Sequence, residues 1–136
     1  AFPVTPIDRD VASVLVCEGL PDALTATQAG FPAVALLGAH TPDESVAARI
    51  ASFAANRDLG VTLICDPDPA GRHVAEVLGP LLTRAGVEPA IVTPPDALDL
   101  NAWALRDPAW SDAVQRLGAD SPTVAATRPI SDGREL

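Results

Sequence analysis

A chain of 136 residues fits one domain, long enough to bury roughly two thirds of the surface that its unfolded form exposes. Its 48% hydrophobic content marks it as globular. No apolar run approaches the roughly 20 residues of a bilayer span and no basic-then-apolar leader is present, so a soluble, cytoplasmic chain with no membrane partner is expected. The formal charge of −9, with all nine basic residues arginine, argues against a chain that grips nucleic acid by a basic face of its own.

Ser13 to Cys17 is a short aliphatic strand. Pro21 to Ala29 reads as a helix with proline in its first turn and Gly30 as its stop. Ala33 to Leu37 is the second strand. Thr41-Pro42-Asp43-Glu44 has the form of a capping box with proline at N1, and it opens a helix that carries Val46, Ile50, Phe53 and Ala54 on one face. That helix is expected to end near Asp58-Leu59-Gly60. Val61 to Cys65 is the third strand. A helix from Pro69 follows, with Val74, Val77, Leu78, Leu81, Leu82 and Ala85 at helical spacing, and Pro80 should kink or break it. Ala90 to Thr93 is the fourth strand, and Asp99 caps a helix through Leu100-Asn101-Ala102-Trp103.

Strands that are apolar throughout and alternate with helices indicate an α/β fold with a parallel sheet covered on both faces. Right-handed crossovers leave few arrangements. In the order 2-1-3-4 the first and third strands are neighbours, and their C-terminal ends meet in the crevice where such sheets bind ligands. Glu18 ends the first of these strands and Asp66 ends the third, with Asp68 two residues on. Two carboxylates on adjacent strand ends repel each other unless a cation intervenes. Oxygen donors of this kind suit a hard divalent ion, so Glu18, Asp66 and Asp68 are expected to be magnesium ligands, with manganese as the alternative metal. Phosphoryl transfer is the chemistry that such an ion serves, and Glu18 can act there as a third ligand or as the general base. Gly19 is expected to allow a sharp turn beside the site, Gly71 a close approach at a helix start, and Arg72 a phosphate contact.

Simpler roles stand beside these. Asp68-Pro69 is a good N-cap and N1 pair, and Asp22 and Asp99 suit helix N-termini. The two cysteines, Cys17 and Cys65, read as buried free thiols, and they form a redox pair only if their strands are neighbours. His40 and His73 lack zinc-site spacing and are expected in a loop and on the surface. Trp103 and Trp110 read as packing residues, since 4% aromatic content offers no stacking surface.

Glu18-Gly19-x-x-Asp22-Ala23-Leu24, then Leu37-Gly38, then Asp66-x-Asp68-x-Ala70-Gly71-Arg72, resembles the TOPRIM domain of topoisomerases, bacterial DnaG-type primases, phage primase-helicases and some nucleases. The resemblance runs from about Ser13 to Ala104 and is greatest to the primase and primase-helicase branch. Asp99-Leu100-Asn101 is similar to that branch's late Lys-Asp-x-Asn motif, with Leu98 standing at the lysine position. It implies a Rossmann-like fold of about four parallel strands and a catalytic role for Glu18, Asp66 and Asp68. It gives Gly19, Asp22, Gly38, Gly71, Arg72 and Asp99 phosphate-binding or supporting roles. The function it implies is nucleotidyl transfer in RNA primer synthesis, with a TOPRIM nuclease or a non-catalytic binding module as alternatives. A topoisomerase would need its tyrosine from another domain, because this chain has none.

On this reading residues 1–12 are an N-terminal arm, 13–106 the TOPRIM domain, 107–118 a C-terminal helix and 119–136 a flexible tail. The opening Ala1-Phe2-Pro3-Val4 suggests a domain of a longer protein. Nucleic acid and nucleotides would then be reached through the metal and through neighbouring domains, a helicase among them, and the chain by itself is expected to be inactive.

Overall fold

A computed structural model describes residues 11–36 and 42–119 of the chain. In it four strands, β1 (Ser13–Cys17), β2 (Ala33–Ala35), β3 (Gly60–Ile64) and β4 (Ala90–Val92), form one parallel sheet in the order β2-β1-β3-β4. Five helices flank it: α1 (Leu20–Gln28), α2 (Glu44–Ala55), α3 (Pro69–Arg84), α4 (Leu100–Arg106) and α5 (Trp110–Ala119). The α/β class and the expected strand order are both found. Among the described residues no helix is long and apolar enough to cross a membrane.

Each face of the sheet has its own core, which is why the central strands read as unbroken apolar runs. Leu15, Cys17, Ile64 and Val92 pack beneath α1, α4 and α5 with Ala23, Ala26, Leu100, Trp103 and Trp110. On the other face Val14, Val16, Val61, Leu63 and Cys65 meet Ala47, Ile50 and Ala54 of α2 and Leu78 and Leu82 of α3. Trp103 and Trp110 are packing residues, edge to face with centroids 6.5 Å apart. In β1 and β3, Val16 pairs with Leu63 and Cys17 with Ile64, so both strands deliver their next residues to the same end of the sheet.

Several boundaries and one cap differ from the sequence expectation. The N-cap of α2 is Asp43, whose carboxylate accepts from the Val46 N–H at 3.0 Å; Pro42 therefore precedes the cap rather than opening the helix. An extended residue with a short acceptor side chain one position before Glu44 does what the Thr41 reading required of Thr41, which lies outside the described residues. The α2 helix stops at Ala55, and Asp58, at φ 57°, turns the chain into β3. Thr93 lies beyond the end of β4, and β2 ends at Ala35, although the Leu36 N–H still bonds the Cys17 carbonyl at 2.8 Å.

Pro80 does not break α3, which runs from Pro69 to Arg84. Pro80 and Glu76, the residue one turn earlier, are both exposed, so the helix carries the proline on its solvent side. The proposed arm and tail fall largely on residues 1–10 and 120–136, and Gly38 and His40 on 37–41, all outside the described residues.

Candidate functional site

The site starts from register. Because β1 and β3 are adjacent and parallel, Glu18 and Asp66 emerge from the same sheet edge. Glu18 Oε2 accepts a hydrogen bond from the Asp66 main-chain N–H at 2.8 Å, joining positions 48 residues apart. Asp66 Oδ1 is buried and accepts no hydrogen bond from the protein. Burial first, and then the negative charges of Glu18, Asp22, Asp68 and Asp99, push the Asp66 carboxyl from 3.8 up to about 6. A buried acceptor without a donor, in a field of other carboxylates, is costly unless a cation or a proton answers it.

Asp68 takes a different place. Its side chain caps α3, accepting from the Gly71 N–H at 2.7 Å, while its own N–H bonds the Asp66 carbonyl at 2.9 Å. The helix-cap reading of Asp68-Pro69 therefore holds, whatever else its second oxygen does. Among the described residues no three His, Cys, Asp or Glu side chains converge into a ready-made metal shell. The structure thus brings Glu18 and Asp66 into contact and sets Asp68 beside them with one oxygen engaged.

The two glycines differ. A Cβ at Gly71 would lie 1.9 Å from the Asp66 carbonyl oxygen, so only glycine lets α3 begin this close to the end of β3. Gly19, expected to serve a sharp turn, sits at φ −119° and ψ 160°, an ordinary extended conformation, and a Cβ there would meet nothing nearer than Pro21 Cδ at 3.7 Å. Its turn is made by the start of α1 and not by glycine-only backbone.

Asp22 is buried on α1, and its carboxylate accepts from the Asn101 N–H at 2.9 Å. Thr25 donates its hydroxyl to Asn101 Oδ1 at 2.9 Å. Asp99 is the N-cap of α4, the helix of Asn101, and accepts from the Ala102 N–H at 2.8 Å. Burial raises the Asp22 pKa, the Asn101 bond opposes this, and the Asp99 charge adds to the rise. Asp22 thus sits in the first turn of α1, as expected, and its carboxylate also serves the N-terminus of α4. Asn101 was visible only as part of a motif and Thr25 gave no signal in sequence, since their partnership spans 76 residues. Leu98, at the position where the resembling motif has lysine, packs against the apolar cluster that holds Trp103.

Arg72 is exposed on the first turn of α3 and lines a cleft of about 360 Å³ with Asp66, Glu76, Ile91 and Thr93. A guanidinium and a strand-end carboxylate lining one cleft suit an anion that also carries a cation. His73 is exposed, as expected. Cys17 ends β1 and Cys65 directly follows the neighbouring β3, yet they point into opposite cores and stay free. Burial and nearby carboxylates push both thiols up, Cys65 to about 12, which leaves them protonated and unreactive.

Glu18 and Asp66 are hard oxygen donors, of the chemistry that a divalent cation such as magnesium would take. Compared with known proteins, residues 15–104 match a family described as Toprim-like. No curated protein and no solved structure matches the chain.

Proposed function

The chain belongs to the Toprim-like family, and we propose that it is the magnesium-binding catalytic domain of a DNA primase or primase-helicase-like protein, contributing to nucleotidyl transfer in RNA primer synthesis. Toprim domains bind divalent metal ions, typically magnesium, in primases, nucleases and topoisomerases. The observation that supports the reading is the buried, donorless Asp66 Oδ1, on a residue whose backbone N–H bonds the Glu18 carboxylate at the strand-end edge where such sheets bind ligands. The primase branch rests on the Glu18-Gly19-x-x-Asp22 and Asp66-x-Asp68-x-Ala70-Gly71 forms.

Glu18 and Asp66 would hold the ion and Asp68 would reach it with the oxygen that does not cap α3. When bound, the ion supplies charge neutralisation at phosphate oxygens and lowers the pKa of an attacking hydroxyl. The chain's own part is positional. Glu18 fixes the Asp66 backbone, Gly71 admits the helix start, and Arg72 offers a phosphate contact across the cleft. Template and nucleotide would be gripped by neighbouring domains, a helicase among them, since a chain of charge −9 supplies no basic groove.

Primer synthesis from ribonucleotides on single-stranded DNA by the intact protein, dependent on magnesium and abolished in Asp66→Asn, is the expected result. Metal-dependent DNA cleavage without added nucleotides would replace this reading by a nuclease. Absence of any metal response at Asp66 would leave a non-catalytic module.

A further inference from the structure

The clamp between α1 and α4 has a consequence for the acidic crevice. α1 begins two residues after Glu18, and Asp22 and Thr25 lie on its side that meets α4. Both bond Asn101, one at its main-chain N–H and the other at its side-chain oxygen, so the first turn of α4 is fixed in position and in rotation. Asp99 is the residue immediately before that turn. Its loop is strained at one residue: Asp96 and Ala97 both have φ 58°, a left-handed conformation that Asp tolerates and Ala does not favour. Such a conformation persists only where the surroundings over-determine it. The Leu98 N–H bond to the Pro95 carbonyl at 3.1 Å and the packing of Leu98 hold one end, and the Asp22–Thr25–Asn101 clamp holds the other.

We propose that Asp22 is a positioning residue: with Thr25 it clamps the first turn of α4 to α1 and so holds Asp99 beside the Glu18–Asp66 crevice. Glu18, α1, α4 and Asp99 then move as one unit, and the acidic field around Asp66 is set by helix docking. The inference rests on the metal-binding reading of the crevice for its consequence, but the clamp itself does not.

The test uses the whole 136-residue chain with Asp22→Ala, Asp22→Asn and Thr25→Val. Two readouts are taken: amide hydrogen exchange at Asn101 without metal, and magnesium titration followed by NMR at the Asp66 amide. Loss of a charge-assisted bond should speed Asn101 exchange in Asp22→Ala about tenfold or more, with the amides of Val16 and Leu63 unchanged. The same variant should bind magnesium several-fold more weakly. Asp22→Asn retains an acceptor oxygen and should keep Asn101 exchange near the wild type; since it removes a charge that acts on Asp66, its magnesium binding should weaken, but by less than in Asp22→Ala, and Thr25→Val should shift both readouts in the Asp22→Ala direction by less.

Unchanged Asn101 exchange in Asp22→Ala overturns the clamp. Loss of magnesium binding in Asp22→Asn as great as in Asp22→Ala, with Asn101 exchange intact, overturns it in favour of direct ligation by Asp22. If Asp22→Ala does not fold, Thr25→Val decides, since it removes one bond and no charge. A wild type without any magnesium response refutes the proposed function alone, because Asn101 exchange still reports on the clamp.

Discussion

Glu18 and Asp66 meet through the backbone of one and the side chain of the other, Oε2 to N–H at 2.8 Å. The contact leaves the Asp66 carboxylate itself facing carboxylates and unpaired at one oxygen. A site of this kind is held together by the sheet and strained by its own charge.

The strain should be visible as pH dependence. Asp66 titrates at about 6 in the folded chain against an ordinary 3.8, so the folded state binds the proton more tightly than the unfolded state. The stabilisation is fully present below about 4 and is lost as pH rises through about 6. Asp22, also raised, acts with the same sign. The urea midpoint of the metal-free chain should carry a falling contribution across this window, smaller in Asp66→Asn; equal profiles for the two proteins would count against it.

Glu18 combines an acceptor and a charge, and two substitutions separate them. Glu18→Ala leaves the Asp66 N–H without its acceptor and should cost about 1–3 kcal/mol in urea unfolding. Glu18→Gln keeps an acceptor and relieves repulsion on Asp66, so stability should hold or rise while the magnesium response at Asp66 weakens. Parallel loss of stability and metal binding in both variants would contradict this division.

Asp68 is tested in the same way. Asp68→Ala removes the α3 cap and should destabilise by about 1 kcal/mol. Asp68→Asn keeps an oxygen for the Gly71 N–H, so its stability should remain near the wild type. A drop in magnesium affinity in Asp68→Asn would then report ligation, and an unchanged affinity would confine Asp68 to the cap.

Gly71 admits no side chain without backbone movement, since its Cβ would meet the Asp66 carbonyl. Gly71→Ala should destabilise by about 3 kcal/mol, the upper end of overpacking costs, and should displace the Asp66 amide resonance. Gly19→Ala is the control and should be tolerated far better, because its backbone is ordinary and its surroundings open. Equal tolerance at the two glycines would refute the close-approach argument.

The sequence carried the local information well. Apolar runs at Val14–Cys17 and Val61–Ile64 fixed two central strands, Gly30 at φ 98° ends α1 as its type suggests, and Asp68 and Asp99 cap the helices that follow them. Where the reading missed, a local rule met a neighbour it could not see. Pro80 is expected to kink or break its helix, yet α3 continues through it, with Pro80 and Glu76 both on the exposed side. The reading of the two cysteines as buried free thiols holds, and only the fold shows why they cannot pair: Cys17 and Cys65 stand in opposite cores, because side chains alternate across a sheet.

Residue types and their order therefore determined the α/β class, the succession of elements and the acids at the strand ends. Tertiary structure alone decided how those acids are used. Strand pairing gave Asp66 its burial and its contact with Glu18, and helix docking turned Asp22 into a cap for α4, 79 residues away. Periodicity and capping act within a few residues, whereas desolvation and charge coupling exist only once distant segments are packed together.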